Sequence, residues 1–574
     1  MAQAPIRARL LGMTAALVFG AVPALAQDDG LAGSYLAARQ AAKNADFGAA
    51  AQYFVRALAR DASNPTLLED ATLSQLALGN LGRAVPTARK MEADGLSSQV
   101  ARMVLVADEV ENAEFEALLN RVDEERAVGP LVDGLLRGWA HLGAGSASEA
   151  LSAFDALAQE RGLSSFGLYH KALALALVGD FEGAEEIYEG EGFGPLQMTR
   201  RATVARMQIL SQLDRNEQAL ELLDTLFGPD LDPALRDMKA RLEEGDTLRF
   251  DFIASPRDGV AEVFFTVAAA LSNEANDDYT LVYARVAEYL RPDHGDAVLL
   301  AAQMLENLGR FELAVETYKT LPRDHPSYHA AELGRAQALR RADKVDAAVE
   351  VLEQLAATHG DLPIVHMSLG DMMRQTKDFE AATVAYTRAL ELFGEPGPDQ
   401  WFIFYARAIS YERQDMWTEA EADFRRALEL SPEQPQVLNY LGYSLVEQQQ
   451  KLDEALDMIE RAVAARPDSG YIVDSLGWVL YRLGRYEEAV EHMERAAELM
   501  PTDPVVNDHL GDVYWAADRR LEARFQWRRA LSFHGTAETS DDVDPDRVRR
   551  KLEVGLDQVL AEEGAEPLKV ADGD

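Results

Sequence analysis

The 574-residue sequence predicts an all-α superhelical solenoid of roughly 13 helix-turn-helix hairpins with a C-terminal capping helix. Three observations carry that reading. An alanine returns at Ala420, Ala455, Ala489 and Ala523, at intervals of 35, 34 and 34 residues. A Leu-Gly pair returns in step with it, as Leu441-Gly442, Leu476-Gly477 and Leu510-Gly511. Glycine and proline punctuate the units, with Gly484 between two helical patterns and Pro467 and Pro501 at the exits. Small residues let two helices approach closely, and an apolar face that one hairpin cannot bury alone is buried by stacking the next hairpin on it.

At the N-terminus, Arg7 and Arg9 precede an apolar run from Leu10 to Val22 and the small-residue site Ala24-Leu25-Ala26. This reads as a secretory signal over residues 1–26, cleaved after Ala26, so the expected product is exported and periplasmic. A run of about 13 apolar residues falls short of the about 20 that span a bilayer. The chain contains no cysteine, which excludes disulfides, thiolate metal sites, a cysteine nucleophile and a lipid anchor on cysteine.

Residues 27–231 read as a first array, marked by Ala50 with Phe54 and Ala57, then Ala84, Ala150 with Phe154, Ala184 with Tyr188, and Ala219. Its weakest unit is Gln99 to Pro130. Residues 232–259 interrupt the rhythm: Arg249 to Phe252 alternate polar and apolar, and Pro256 and Gly259 act as breakers. A second array, 260–537, starts weakly over Pro256 to Pro292 and continues through Ala314 with Tyr318, Ala347, and Ala382 with Tyr386. Residues 538–562 predict the capping helix, with Asp544 as cap, Pro545 at the first helical position, and Val548, Leu552, Leu556, Val559 and Leu560 on one face. Residues 563–574 are composed like a disordered tail.

A formal charge of -41 repels phosphate backbones and anionic headgroups, and removing a leader with two arginines and no acid makes it more negative still. Neither nucleic-acid binding nor direct membrane insertion is expected. Candidate chemistry is sparse. Asp542, Asp544, Asp546 and Glu553 match four calcium-loop positions, but Arg547 stands where the loop needs glycine. His325 and His329 are four apart with Pro326 between them and no HExxH motif. Gly190 to Gly194, GEGFG, lacks the spacing of a dinucleotide loop. No Walker lysine, GxSxG or serine-lysine motif occurs, so no catalytic residue, metal or cofactor is expected, and the chain reads as a non-enzyme.

The period, the small contact residues and the exit prolines resemble the tetratricopeptide repeat (TPR) pattern. The resemblance implies that the first helix of each hairpin lines a concave groove holding peptides or extended segments of partner proteins. Carried over by register, it implies a groove formed by Phe402, Tyr405, Tyr443, Tyr471, Trp478, Tyr481 and Trp515 beside Asn439, Asp474, Asp508 and Asp512. Aspartates where TPR clamps for a terminal carboxylate carry lysine disfavour that ligand. More narrowly, LNYLGYSLVEQ, DSLGWVLYRLGRYEEAV and HLGDVYWAADRR, within Leu438 to Leu531, resemble the C-terminal repeats of long bacterial cell-envelope TPR lipoproteins. Some of these are adaptors for carboxyl-terminal processing proteases and present substrates to them. The missing lipid-attachment cysteine departs from that pattern. The expected function is a periplasmic scaffold or adaptor. The alternatives are a scaffold for secretion or assembly of surface polymer or pilus components, and an envelope hydrolase with an unrecognised site. The oligomeric state is left open.

Overall fold

The computed structural model describes residues 31–124, 128–190, 196, 198–228, 231–535 and 543–565; the expected signal segment, most of the Gly190–Gly194 loop, Asp542 and the C-terminal tail fall outside these. Among the described residues there are thirty-one α-helices, one short 3-10 turn and no strand. None of these helices is long and apolar enough to cross a membrane.

The chain divides into two compact units, residues 1–343 and 344–574. Unit 1 opens with three hairpins: α1 (Leu31–Lys43) with α2 (Phe47–Leu58), α3 (Pro65–Ala77) with α4 (Leu81–Ala93), and α5 (Gln99–Glu111) with α6 (Phe115–Asp123). Three more follow: α7 (Pro130–Gly143) with α8 (Ala147–Ala158), α9 (Ser164–Leu177) with α10 (Phe181–Glu189), and α11 (Arg200–Gln212) with α12 (Asn216–Phe227). After the single helix α13 (Pro233–Glu243), the unit closes with α14 (Pro256–Leu271), α15 (Asp277–Leu290), α16 (Gly295–Asn307), α17 (Phe311–Tyr318) and α18 (Tyr328–Arg341).

Unit 2 begins with α19 (Val345–Thr358) and continues as hairpins α20 (Pro363–Gln375) with α21 (Phe379–Phe393), α22 (Trp401–Glu412) with α23 (Trp417–Leu430), and α24 (Pro435–Glu447) with α25 (Leu452–Ala465). Then come α26 (Gly470–Arg482) with α27 (Tyr486–Leu499), α28 (Pro504–Ala516) with α29 (Arg520–Phe533), and the final pair α30 (Pro545–Val554) and α31 (Leu556–Glu563).

The helix ends follow local chemistry. Asn64, Asp232, Asp503 and Asp544 accept backbone N–H bonds at the starts of α3, α13, α28 and α30, each with proline in the first turn. The alanines that mark the period, Ala420, Ala455, Ala489 and Ala523, are all fully buried, and a Cβ on Gly511 would overlap the indole of Trp527 on the partner helix. The repeat therefore rests on close helix contact within each hairpin.

Residues 246–255 contain the polar and apolar alternation of Arg249 to Phe252. They run as extended chain along α11, held by side chains instead of a sheet. Ser211 Oγ accepts from Leu248 N at 2.8 Å, Gln208 Oε1 accepts from Asp251 N and Phe252 N at 3.2 Å, and Gln212 Nε2 donates to Leu248 O at 2.5 Å. Alternation here buries Leu248 and Phe252 against the array. The two weakest units of the pattern, Gln99 to Pro130 and Pro256 to Pro292, are hairpins nonetheless: α5–α6 and α14–α15.

The second of these hairpins has an unusual place. Besides packing on its sequence neighbour α16, α14 lies across α7 and α9, and α15 lies across α3 and α5, all first helices of the unit's early hairpins. Gly259 makes the close approach to α7, since a Cβ there would overlap the ring of Trp139. Val260, Val263 and Phe264 are fully buried behind it.

Candidate partner-binding surface

In unit 1 the surface that the repeat pattern offers to partners is taken up by α14–α15. Arg285 of α15 donates through Nε to Ala77 O at the end of α3 (3.1 Å) and through Nη2 to Thr317 Oγ1 (3.0 Å). Gln99 at the start of α5 accepts from Tyr279 Oη at 3.0 Å and donates to Tyr283 Oη at 3.3 Å.

A buried charged node anchors α14. Glu262, 1% exposed, accepts from Arg201 Nε (2.9 Å) and Nη2 (2.6 Å) and from Tyr169 Oη (2.8 Å), and its Oε2 lies 3.1 Å from His294 Nε2. His294 Nδ1 accepts from Ala297 N, so Nε2 carries the proton and donates to Glu262. Burial opposes the charge on Glu262, yet the Arg201 guanidinium and the His294 donor hold its carboxyl well below the usual range. Burial, with Arg201 beside it, keeps His294 neutral by pushing its pKa down. Arg201 also pairs with Asp296 at 2.6 Å and lies over the rings of Phe252 and Phe265. Each of these polar groups is satisfied by another, which makes the node a fastener joining α9, α11, α14 and the start of α16.

Two open clefts of about 490 Å³ each flank the node. One is walled by Phe166, Phe265 and Ala270, the other by Arg241, Arg291 and Met238. The candidate metal residues nearby are engaged locally, His325 Nε2 on Asp293 O and His329 Nδ1 on Pro326 O.

Unit 2 holds the eleven side chains assigned to the groove, and it sorts them sharply. Only two stand well out of the surface, Phe402 at 39% and Tyr471 at 48% exposed. Tyr405, Tyr443, Trp478 and Asp508 are half-buried; Asn439, Asp474, Tyr481, Asp512 and Trp515 are buried.

The buried and half-buried aromatics pack on one another. Trp478 lies between Tyr481, at 4.9 Å between ring centroids, and His509 at 4.1 Å, so both its faces are covered, and its Nε1 donates to Glu447 at 2.9 Å. Tyr405 meets Tyr440 edge-on and Phe424 at 6.0 Å. These rings stack between hairpins and are not free anchors.

The aspartates are likewise engaged. The Asp474 carboxylate faces His509 Nδ1 at 3.0 Å. Lys551 of α30, completely buried, donates to both carboxylate oxygens of Asp508 (2.9 Å) and of Asp512 (2.7 Å), and Trp527 Nε1 also donates to Asp512. Burial pushes Asp512 up despite the pull of Lys551, with the Asp508 charge adding to the rise. Trp515 is closed over by the cap: Gly555 lies against its ring, Asp557 accepts from its Nε1 at 2.9 Å, and Arg520 lies over it at 4.1 Å. The calcium-template residues belong to this cap too. Asp544 caps α30, Asp546 pairs with Arg549 and Glu553 with Arg550.

The candidate surface therefore narrows to the strip around Phe402 and Tyr471, which Trp401 and Tyr405 support. Tyr471 is near enough for its phenol to raise that of Tyr405, whose main upward push is burial. Sequence reasoning missed Ile364, an exposed apolar side chain at 45% on α20. Its equivalence to Phe402 and Tyr471 in the repeat was the available signal.

Comparison with known proteins picks out the same repeat. Models of the tetratricopeptide repeat match residues 296–328, 333–399, 405–470 and 446–504. A TPR repeat-containing protein of Pseudomonas aeruginosa is 27% identical over 156 residues, 27% of this chain, and the match spans only 26% of that relative's length. Among solved structures, the Cut9–Hcn1 hetero-tetramer of the APC/C is similar at TM-score 0.37 and 15% identity, with 92% of this chain and 97% of that one covered. Yeast Tom70 is similar at TM-score 0.34 and 14% identity, with 93% and 98% covered. Over residues 296–328, 333–399 and 405–504, the chain is thus built of tetratricopeptide repeats, an architecture for protein–protein interaction.

Proposed function

We propose that the protein is an exported, periplasmic, non-enzymatic scaffold that binds extended segments of partner proteins along the first helices of unit 2. Its most specific form is an adaptor that presents substrates to a carboxyl-terminal processing protease. The observation that carries the binding reading is the pair Phe402 and Tyr471. Large aromatic side chains left 39% and 48% exposed, on a face whose other rings are packed away, suit anchoring of a partner. The adaptor form rests on the sequence likeness within Leu438 to Leu531, and export rests on the leader pattern over residues 1–26.

The test is a photo-crosslinking side chain placed at position 402 or 471 of the full chain in living cells, with position 384, an exposed valine on the second helix α21, as control. Protein adducts from 402 and 471 and none from 384 are expected, with a periplasmic protease or its substrates among them. Adducts of the same identity from all three positions, or none from any, would falsify the assignment of this face.

A further inference from the structure

Three exposed apolar side chains on the first helices of unit 2 share one position of the repeat, while Val384, Leu521 and Phe525 stand exposed on second helices. Six residues before the small residue that meets the second helix, at Gly370, Ala408, Gly442, Gly477 and Gly511, stand Ile364, Phe402, Gln436, Tyr471 and Val505. Three of these are large apolar side chains 39–48% exposed, and Val505 is half-buried. They form a row across successive hairpins, at the edge where the chain enters each first helix. Three residues earlier, in the entering loops, stand Asp399, Glu433 and Asp468, all exposed. Glu433 pairs with Arg461 and Asp468 with Arg495 at 3.0 Å, arginines that are themselves 42% and 47% exposed. Ion pairs this wet contribute about 0–1 kcal/mol, so a partner's cation can replace the arginines at little cost. An acidic row thus runs beside an apolar row.

We infer that this edge docks an extended segment of a partner protein that is basic and carries an apolar side chain at every third residue. The inference rests on the scaffold reading and adds the partner's chemistry. Packed helices stand about 8–10 Å apart, and a polyproline II chain advances about 3.1 Å per residue with every third side chain on the same face, so such a segment crossing the hairpins brings every third side chain over the next helix. Gln436 interrupts the apolar row, and the partner places a polar side chain there. The acidic row supplies the attraction for lysine or arginine between the anchors, in a chain with 97 acidic and 56 basic residues.

The probe is a fluorescent synthetic peptide of about twelve residues, the length that spans five such helices. It carries phenylalanine or leucine at every third position, glutamine opposite Gln436, and lysine elsewhere, and is titrated against the full chain by anisotropy. Saturable binding is expected, at least tenfold tighter than that of a scrambled peptide or one with glutamate for lysine. Phe402→Ser with Tyr471→Ser should weaken it at least tenfold. Asp399→Asn with Glu433→Gln and Asp468→Asn should weaken it and flatten its salt dependence. All five positions are exposed, and unchanged melting curves show that the variants are folded. No binding, equal binding of the scramble, or equal binding by either variant overturns the inference. If crosslinks from 402 and 471 survive that result, the scaffold reading stands without this partner chemistry; if they are absent too, both readings fall.

Discussion

His509 lies nearly flat on Trp478, 4.1 Å between ring centroids, with its Nδ1 3.0 Å from the Asp474 carboxylate. Burial works against an imidazolium here, but Asp474, helped by the Asp508 and Asp512 charges, outweighs it and raises the pKa. A histidine whose folded pKa is raised stabilises fully below its unfolded value of about 6.5, and that stabilisation is lost as pH climbs through the folded value. The melting temperature of unit 2 should therefore fall as pH rises above about 6.5. Asp474→Asn should flatten that slope and lower the melting temperature at pH 6, read by circular dichroism at constant ionic strength. The same slope in Asp474→Asn would show that another group carries it. The sequence displayed the aromatic and acidic positions but not their partners. Whether Trp478 faces a ligand or a neighbour depends on His509, a full repeat later, and periodicity alone does not say which side chain fills the gap between hairpins.

At the scale of elements, the cap shows the same division. Asp544 and Pro545 announced a helix and Val548 its buried face, but the single helix expected over 538–562 breaks at Gly555, and Leu556 is buried on α31. Lys551 was not legible, because a lysine in a charged helix reads as a solvated one. In the structure it is the counter-ion that lets Asp508 and Asp512 share a dry site beneath Trp527. Removing one partner of a buried charge cluster leaves the others uncompensated. Lys551→Met should cost about 3–5 kcal/mol and release α30–α31 from α28. Adding Asp508→Asn and Asp512→Asn should recover part of the loss. Urea denaturation followed by fluorescence of Trp515 and Trp527 reads both changes. A single variant as stable as the parent would mean that the cap is held by its apolar face alone.

At the scale of the molecule, the units differ in how far along the sequence their contacts reach. Unit 2 is a nearest-neighbour solenoid in which each helix touches only the one to three before and after it, the longest reach being that of Trp515 on α28 to Asp557 on α31, so its stability is close to a sum over adjacent hairpins. Unit 1 is cross-braced. Arg285 bonds Ala77 across 208 positions, Tyr279 bonds Gln99 across 180, and Tyr169 bonds Glu262 across 93. None of this was legible in the sequence. The α14–α15 hairpin is one of the two weakest forms of the repeat, the other being α5–α6, and that weakness does not say where its faces pack. The consequence is a difference in cooperativity. Hydrogen exchange in unit 2 should show protection graded along the array. In unit 1, the segments from α3 to α15 should open together. Gly259→Leu, which drives a side chain into Trp139, should lower protection across α3, α5, α7 and α9 at once, although α3 and α5 lie more than a hundred positions from the substitution. A loss confined to α7 and α14 would show that the braces do not couple the early hairpins, and unit 1 would then be a linear solenoid like its successor.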